Sequence, residues 1–179
     1  MTEVGNVYGE SLYELAKDEA LDQRIGQELE VLRSSFRQEP DYIRLLSSPT
    51  LTKAERCQIL DDSFRNHIHI YVLNFLKLLT ERGYMRAFNE CFRTFTENYY
   101  ADNNMLEVTA VTAVPLTEKQ RLALTDKLTA ITGKTILLQS RVDPACMGGM
   151  RLDYDGQRLD DTVSHRLDSI RDLLKNTVL

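Results

Sequence analysis

The segment from His67 to Gly83 places apolar residues on nearly every side of a helix. A surface helix shows a single apolar stripe, whereas a helix that is apolar all round lies at the centre of a bundle or is covered by something else. Neither this run nor any other approaches the roughly 18 apolar residues that a membrane span needs. We therefore predict a helical bundle without direct membrane insertion, built around Ile68, Ile70, Tyr71, Val72, Leu73, Phe75, Leu76, Leu78 and Leu79.

Five further segments before residue 105 have the spacing of amphipathic helices. Proline favours a helix start at Pro40, and a capping box of Thr52 and Glu55 predicts the start of the next helix. Together with the apolar segment, they predict an N-terminal six-helix bundle over residues 1–104. The other three helices are indicated by apolar stripes at Val4, Val7, Tyr8, Leu12, Leu15 and Ala16, at Ile25, Leu29, Leu32 and Phe36, and at Met85, Phe88, Phe92, Phe95 and Tyr99.

The pattern changes after residue 104, where β-branched residues become frequent. The runs 106–112 and 136–142 are typical of strands. Between them, Thr117 and Gln120 form a second capping box, and Gly133 is placed to end the helix that this box begins. The sequence therefore predicts a strand, a helix and a second strand in this region.

The C-terminal run combines a hairpin signal with the pattern of a helix. Met150, Leu152 and Tyr154 alternate with charged residues, and the Asp155-Gly156 pair that follows is a strong signal for a tight hairpin. Beyond the turn, Asp160 or Asp161 can cap a helix. The prediction is a small α/β domain over residues 105–179, hence an α+β chain, ending in a helix with an apolar stripe of Val163, Leu167, Ile170 and Leu174.

The charge of the chain argues against nucleic-acid binding. Residues 1–104 carry 12 Lys and Arg against 17 Asp and Glu, the remainder carries 10 of each, and the net charge is -5. Such a surface offers no positive patch to a phosphate backbone.

The three cysteines, Cys57, Cys91 and Cys146, are odd in number and far apart, which favours free thiols in a reducing compartment.

Gly133-Lys134-Thr135 matches the end of a phosphate-binding P-loop, so a small nucleotide-dependent enzyme is the alternative function. The full motif requires glycine at position 128, which is leucine here, and a strand before the loop instead of a helix. No other grouping predicts a catalytic site, a metal or a cofactor. His67 and His69 lie on different sides of a helix, and the adjacent Ser164 and His165 do not face each other.

The C-terminal run resembles the δ subunit family of bacterial and chloroplast F-type ATP synthases, which includes the mitochondrial oligomycin-sensitivity-conferring protein. The family has an aspartate before Gly-Gly and then Asp-Gly-Ser-Val at the last helix. Here these motifs are Asp143, Gly148-Gly149 and Asp160-Asp161-Thr162-Val163, of which Asp161 and Thr162 depart from the pattern but still suit a helix start. Further matching blocks follow in order: Tyr8 to Ala16, Leu45-Leu46 with Pro49, Leu78-Leu79 with Glu81-Arg82-Gly83, and Val111 to Ala113 with Pro115-Leu116-Thr117.

The resemblance implies a non-catalytic connector that supports proton-driven ATP synthesis. It would join b subunits of the peripheral stalk to N-terminal helices of α subunits, resist rotor torque, and sit peripherally on the cytoplasmic face of the cell membrane. The resemblance assigns the b contact to Leu167, Ile170 and Leu174. The α-helix groove is assigned to Tyr8, Ser11, Leu12, Leu15, Leu73, Leu76 and Leu79, and the open alternative is that these helix faces are simply core.

Overall fold

The computed structural model describes residues 3–154 and 156–160, which form two compact units. The first unit runs to Tyr99 and the second begins at Tyr100, whereas the sequence-based boundary lies after residue 104. The described residues contain seven α-helices and a four-stranded sheet, which confirms an α+β chain. None of the described helices is both long enough and apolar enough to cross a membrane.

Six helices in the described part of the chain precede the sheet: α1 Glu3–Asp18, α2 Asp22–Gln38, α3 Pro40–Leu46, α4 Lys53–Phe64, α5 Ile70–Arg82 and α6 Phe88–Asp102. A 3₁₀ turn, Met85–Ala87, precedes α6. The helix predicted from His67 begins later, because His69 caps it: the His69 imidazole Nδ1 accepts a hydrogen bond from the Tyr71 amide at 3.3 Å. The predicted capping box of Thr52 and Glu55 is confirmed, and Gly83 ends α5 with φ 75°.

All six helices contribute to one core in the first unit. Its central part comes from α5, whose Val72, Leu73, Leu76 and Leu79 are at most 1% exposed. Not every side of α5 is buried within the unit, because Ile70 is 52% and Leu78 39% exposed. The remaining core residues include Leu12, Tyr13, Ala16, Ile25, Leu29, Leu32, Phe36, Leu46, Leu60, Phe88, Cys91, Phe92 and Phe95.

The second unit is a sheet of strands β1 Met105–Thr112, β2 Thr135–Val142, β3 Met150–Tyr154 and β4 Gln157–Asp160, in the order β2-β1-β3-β4. Helix α7, Glu118–Thr132, connects the parallel strands β1 and β2, and the other pairs are antiparallel. Tyr154 pairs with Gln157, which confirms the predicted hairpin. Leu124 and Leu128 of α7 pack against the apolar face of the sheet, which consists of Val108, Ala110, Ile136 and Leu152.

Candidate partner-binding surface

The seven residues predicted to bind an α-subunit helix fall into two groups in the structure. Leu73, Leu76 and Leu79 are at most 1% exposed and Leu12 is 5% exposed, so these four side chains belong to the core of the first unit. In this conformation they cannot contact a partner directly. Tyr8 is half-buried at the edge of the same core, and Ser11 and Leu15 are exposed.

The exposed side of α5 carries residues other than Leu73, Leu76 and Leu79. Lys77 is bound to Asp61 of α4 at 2.7 Å, so that side of α5 is occupied within the unit. Tyr71 and Leu78 are seven positions apart, lie on one side of the helix and are turned away from Lys77. Tyr71 is half-buried and Leu78 is 39% exposed.

A contact between two tyrosines connects α1 with the end of α5. The rings of Tyr8 and Tyr84 meet edge to face, with centroids 5.9 Å apart and planes at 63°. Tyr84 directly follows the cap residue of α5 and is 40% exposed. We define the α1/α5 surface as the partly exposed residues Val7, Tyr8, Ser11 and Leu15 of α1, Tyr71 and Leu78 of α5, and Tyr84.

The sequence pattern missed Tyr71, Leu78 and Tyr84 for a physical reason. Helical spacing identifies residues that share a side of a helix, and α5 has apolar residues on more than one side. Which side is buried depends on the neighbouring helices, which the sequence alone does not locate. The spacing of Tyr71 and Leu78 is itself helical, so a search for a second apolar stripe on α5 would have found them.

The α1/α5 surface carries no group that is prepared for chemistry. Nearby Cys91 is only 1% exposed, and burial raises the pKa of its thiol to about 11, so the thiol stays protonated at neutral pH. His69 is used as a helix cap. Across the described residues, no group of three or more His, Cys, Asp or Glu side chains could hold a metal ion.

The tripeptide Gly133-Lys134-Thr135 does not form a phosphate cradle. Its three backbone amides are engaged within the chain: Gly133 donates to the Thr129 carbonyl at 2.8 Å, Lys134 to the Thr132 hydroxyl at 3.2 Å and Thr135 to the Asn104 carbonyl at 3.0 Å. Gly133 has φ +67° and ends α7, as predicted from its position. A P-loop needs free amides that point at the phosphates, so this tripeptide does not support the nucleotide-enzyme alternative.

A separate cleft of about 410 Å³ lies between α2 and the end of α4. Its lining is mainly apolar and includes Val31, Leu32, Phe64 and Ile68. The polar residues that line it include Ser63, whose hydroxyl accepts a hydrogen bond from Tyr42 at 3.1 Å. The predicted b-subunit residues Leu167, Ile170 and Leu174 lie outside the described residues.

Comparisons with known proteins agree over almost the whole chain. The family model described as ATP synthase delta (OSCP) subunit matches residues 4–174. The chain is 30% identical to ATP synthase subunit delta of Alkaliphilus oremlandii over 176 residues, which is 98% of each protein. It is 29% identical to ATP synthase subunit delta of Synechococcus elongatus over 164 residues, which is 91% of each.

A solved structure shares the fold. A chain in the mitochondrial ATP synthase hexamer of Toxoplasma gondii superimposes with a TM-score of 0.79 over 97% of this chain and 98% of that one, at 17% sequence identity. At this level of identity the match supports the fold alone. The residues of the α1/α5 surface are therefore interpreted from their own geometry.

Proposed function

Because this chain belongs to the ATP synthase delta (OSCP) subunit family, it is a non-catalytic connector of the peripheral stalk, and we propose how its two units make that connection. The first unit acts as a six-helix bundle that binds the N-terminal helix of an α subunit. The second unit binds the ends of the b subunits. The subunit works as a peripheral part of the complex on the cytoplasmic face of the cell membrane.

The observation that carries the α contact is the open apolar surface beside the Tyr8–Tyr84 ring pair. Leu15 is 41% exposed and Leu78 is 39% exposed. An amphipathic helix binds in such a groove through apolar residues at i, i+3, i+4 and i+7. The partner helix would therefore lie over Tyr8, Ser11 and Leu15, as the family resemblance implies, and over Tyr71 and Leu78 in place of the buried leucines.

A connector that resists torque needs a rigid base beneath its binding surface. Leu12, Leu73, Leu76 and Leu79 supply that base, since all four are buried directly within the helical core. The predicted leucines thus support the surface from below and do not contact the partner. Close-packed interiors have low compressibility, so force on the bound helix is transmitted to the whole unit.

The b contact is proposed for the second unit on the basis of family membership. Leu167, Ile170 and Leu174 share one side of the predicted last helix and remain the residues proposed for it. Replacing Ile170 by aspartate should prevent co-purification of the full chain with the b subunits. Co-purification of this variant at the level of the unchanged chain would contradict the assignment.

The α contact is tested by hydrogen exchange on the full chain with and without a peptide that copies the N-terminal helix of the α subunit. We expect protection of amides in α1 and α5. Leu15→Asp and Leu78→Asp should each weaken peptide binding at least tenfold, since a charge in an apolar interface is left without a partner. Val31→Asp is the matched control, because Val31 is 65% exposed on α2 and lies away from this surface.

If Val31→Asp weakens peptide binding as much as Leu78→Asp does, the proposal is contradicted, because the helix then binds elsewhere on the first unit. The cleft between α2 and α4, which Val31 lines, would then be the binding site.

A further inference from the structure

Four carboxylates lie on one exposed side of α1, beside the α1/α5 surface. Glu3, Glu10, Glu14 and Asp18 are all exposed. At 3.6 residues per turn they fall within an arc of about 80° around the helix axis. The same arc contains Val7 of the α1/α5 surface, which is 53% exposed. An acidic edge therefore runs along the apolar surface.

None of these four carboxylates has a partner among the described residues, whereas several carboxylates on the other helices of the first unit do. In the part of the chain that the structure describes, none of the four takes part in an ion pair or a side-chain hydrogen bond. Five carboxylates on α2, α3, α4 and α6 are paired with arginine or lysine, although others, such as Asp22 of α2, are not paired within the described residues. The pairs are Arg24 with Glu28 at 3.0 Å, Arg33 with Glu30 at 2.8 Å, Arg44 with Asp41 at 2.7 Å, Lys77 with Asp61 at 2.7 Å and Arg93 with Glu97 at 3.4 Å.

The arrangement on α1 is unfavourable for the free subunit. Glu10 and Glu14 are four residues apart, as are Glu14 and Asp18, and like charges at this spacing repel each other. Asp18 also lies in the last turn, where the negative end of the helix dipole disfavours a carboxylate. A cation brought to this edge would relieve both effects.

We propose that the helix bound on the α1/α5 surface carries lysine or arginine along the edge that faces Glu3, Glu10, Glu14 and Asp18. This inference rests on the proposed α contact and adds the charge of the partner to it. The apolar stripe of the partner then contacts Leu15 and Leu78, and its basic edge fixes how the helix is rotated in the groove. Charges of this kind also speed association and make it sensitive to salt.

On α5, Arg82 is exposed, has no ion pair in the described part of the chain, and lies four residues after Leu78 on the same side of the helix. Its neighbour Glu81 is also exposed and accepts a hydrogen bond from the Cys57 thiol of α4 at 3.7 Å. A helix that presented its basic edge to Arg82 would meet a like charge, which favours the rotation that turns this edge toward α1.

The test uses the full chain and the α-subunit N-terminal peptide, with Kd measured from about 0.01 M to about 1 M salt, over which the Debye length falls from roughly 30 Å to 3 Å. The variant combines Glu10→Gln, Glu14→Gln and Asp18→Asn. Exposed ion pairs are individually weak, so the expected loss at low salt is about tenfold for the three together. The dependence of Kd on salt should flatten in the same variant.

A control variant removes the same amount of charge elsewhere through Glu39→Gln, Asp41→Asn and Asp126→Asn, and it should bind the peptide like the unchanged chain. The α1 variant should unfold at the same temperature as the unchanged chain or higher, because it loses like-charge repulsion. Weaker binding then does not reflect misfolding.

Two results would overturn the inference, and they can be distinguished because only one of them also removes the proposed α contact. Binding of the α1 variant with unchanged Kd and unchanged salt dependence would show that the partner edge is neutral, while the α contact itself would stand. Absence of any binding to the unchanged chain would remove the α contact and the inference with it. A peptide whose lysines and arginines are replaced by glutamine should reproduce the loss seen with the α1 variant.

Discussion

Gly9 of α1 lies against the backbone carbonyl of Cys91 in α6, and a Cβ added at Gly9 would be 2.5 Å from that oxygen. The same atom would be 2.8 Å from Cβ of Thr94. One turn earlier, a Cβ at Gly5 would be 2.5 Å from Cβ of Glu90. The two glycines thus permit a close approach of the two helices that any larger residue would prevent.

Gly9→Ala should destabilise the chain by about 1–3 kcal/mol, because an overpacked side chain forces the two helices apart. The matched control is Gly26→Ala in α2, where a Cβ would meet only the Phe95 ring at 3.4 Å. Alanine is favoured over glycine inside a helix by about 1 kcal/mol, so the control should keep or raise stability. Urea unfolding of both variants measures the difference, and equal stability would show that the helices are not closely packed at Gly9.

Gly9 and Ser11 are small residues beside the apolar stripe of α1, a pattern that permits another helix to approach closely but does not identify that helix. Gly9 contacts α6 of the same chain. Ser11 is exposed, and its hydroxyl donates to the Val7 carbonyl at 2.7 Å. Helix caps such as Thr117 were predictable because they depend on residues three positions apart. Burial on α5 was not, because it depends on distant helices.

Leu76→Asp and Leu78→Asp should have different effects on the stability of the first unit, although both replace a leucine of α5. Leu76 is 0% exposed, and an unpaired buried carboxylate there should destabilise the first unit by about 3–5 kcal/mol. Leu78 is 39% exposed, so its replacement should leave stability within about 0.5 kcal/mol. Thermal unfolding followed by circular dichroism distinguishes them. Similar losses in both variants would place Leu78 in the core and remove it from the α1/α5 surface.

The thiols should react at rates that follow burial and pKa. Cys91 has its pKa raised to about 11 by burial, so almost no thiolate forms at neutral pH. Burial also raises the pKa of the half-exposed Cys57, and nearby Glu81 raises it further. We expect iodoacetamide to modify Cys57 before Cys91, at a rate that increases with pH as thiolate forms. Mass spectrometry of the native chain measures the order, and Cys91 reacting first would contradict its burial.

The ion pair between Lys77 and Asp61 connects α5 to α4 at 2.7 Å, with the two side chains 25% and 17% exposed. Lys77→Met leaves the Asp61 carboxylate without its cation and should destabilise the chain by about 1–3 kcal/mol. Adding Asp61→Leu to this variant should restore much of the loss, since an apolar pair can replace an ion pair. Chemical unfolding of the two variants tests this, and a double variant less stable than Lys77→Met would show that Asp61 has another stabilising role.

Gly133 and Lys134 should respond to replacement in a way that separates a helix cap from a phosphate loop. Gly133 ends α7 with φ +67°, so Gly133→Ala should cost about 1 kcal/mol of stability through backbone strain alone. Lys134 is exposed and its backbone amide donates to Thr132, so Lys134→Ala should change stability by less than about 0.5 kcal/mol. Neither variant should alter the response of the chain to ATP, measured by calorimetry, since the amides at this turn are engaged within the protein. Heat of ATP binding that is present in the unchanged chain and lost in Lys134→Ala would restore the phosphate-loop interpretation.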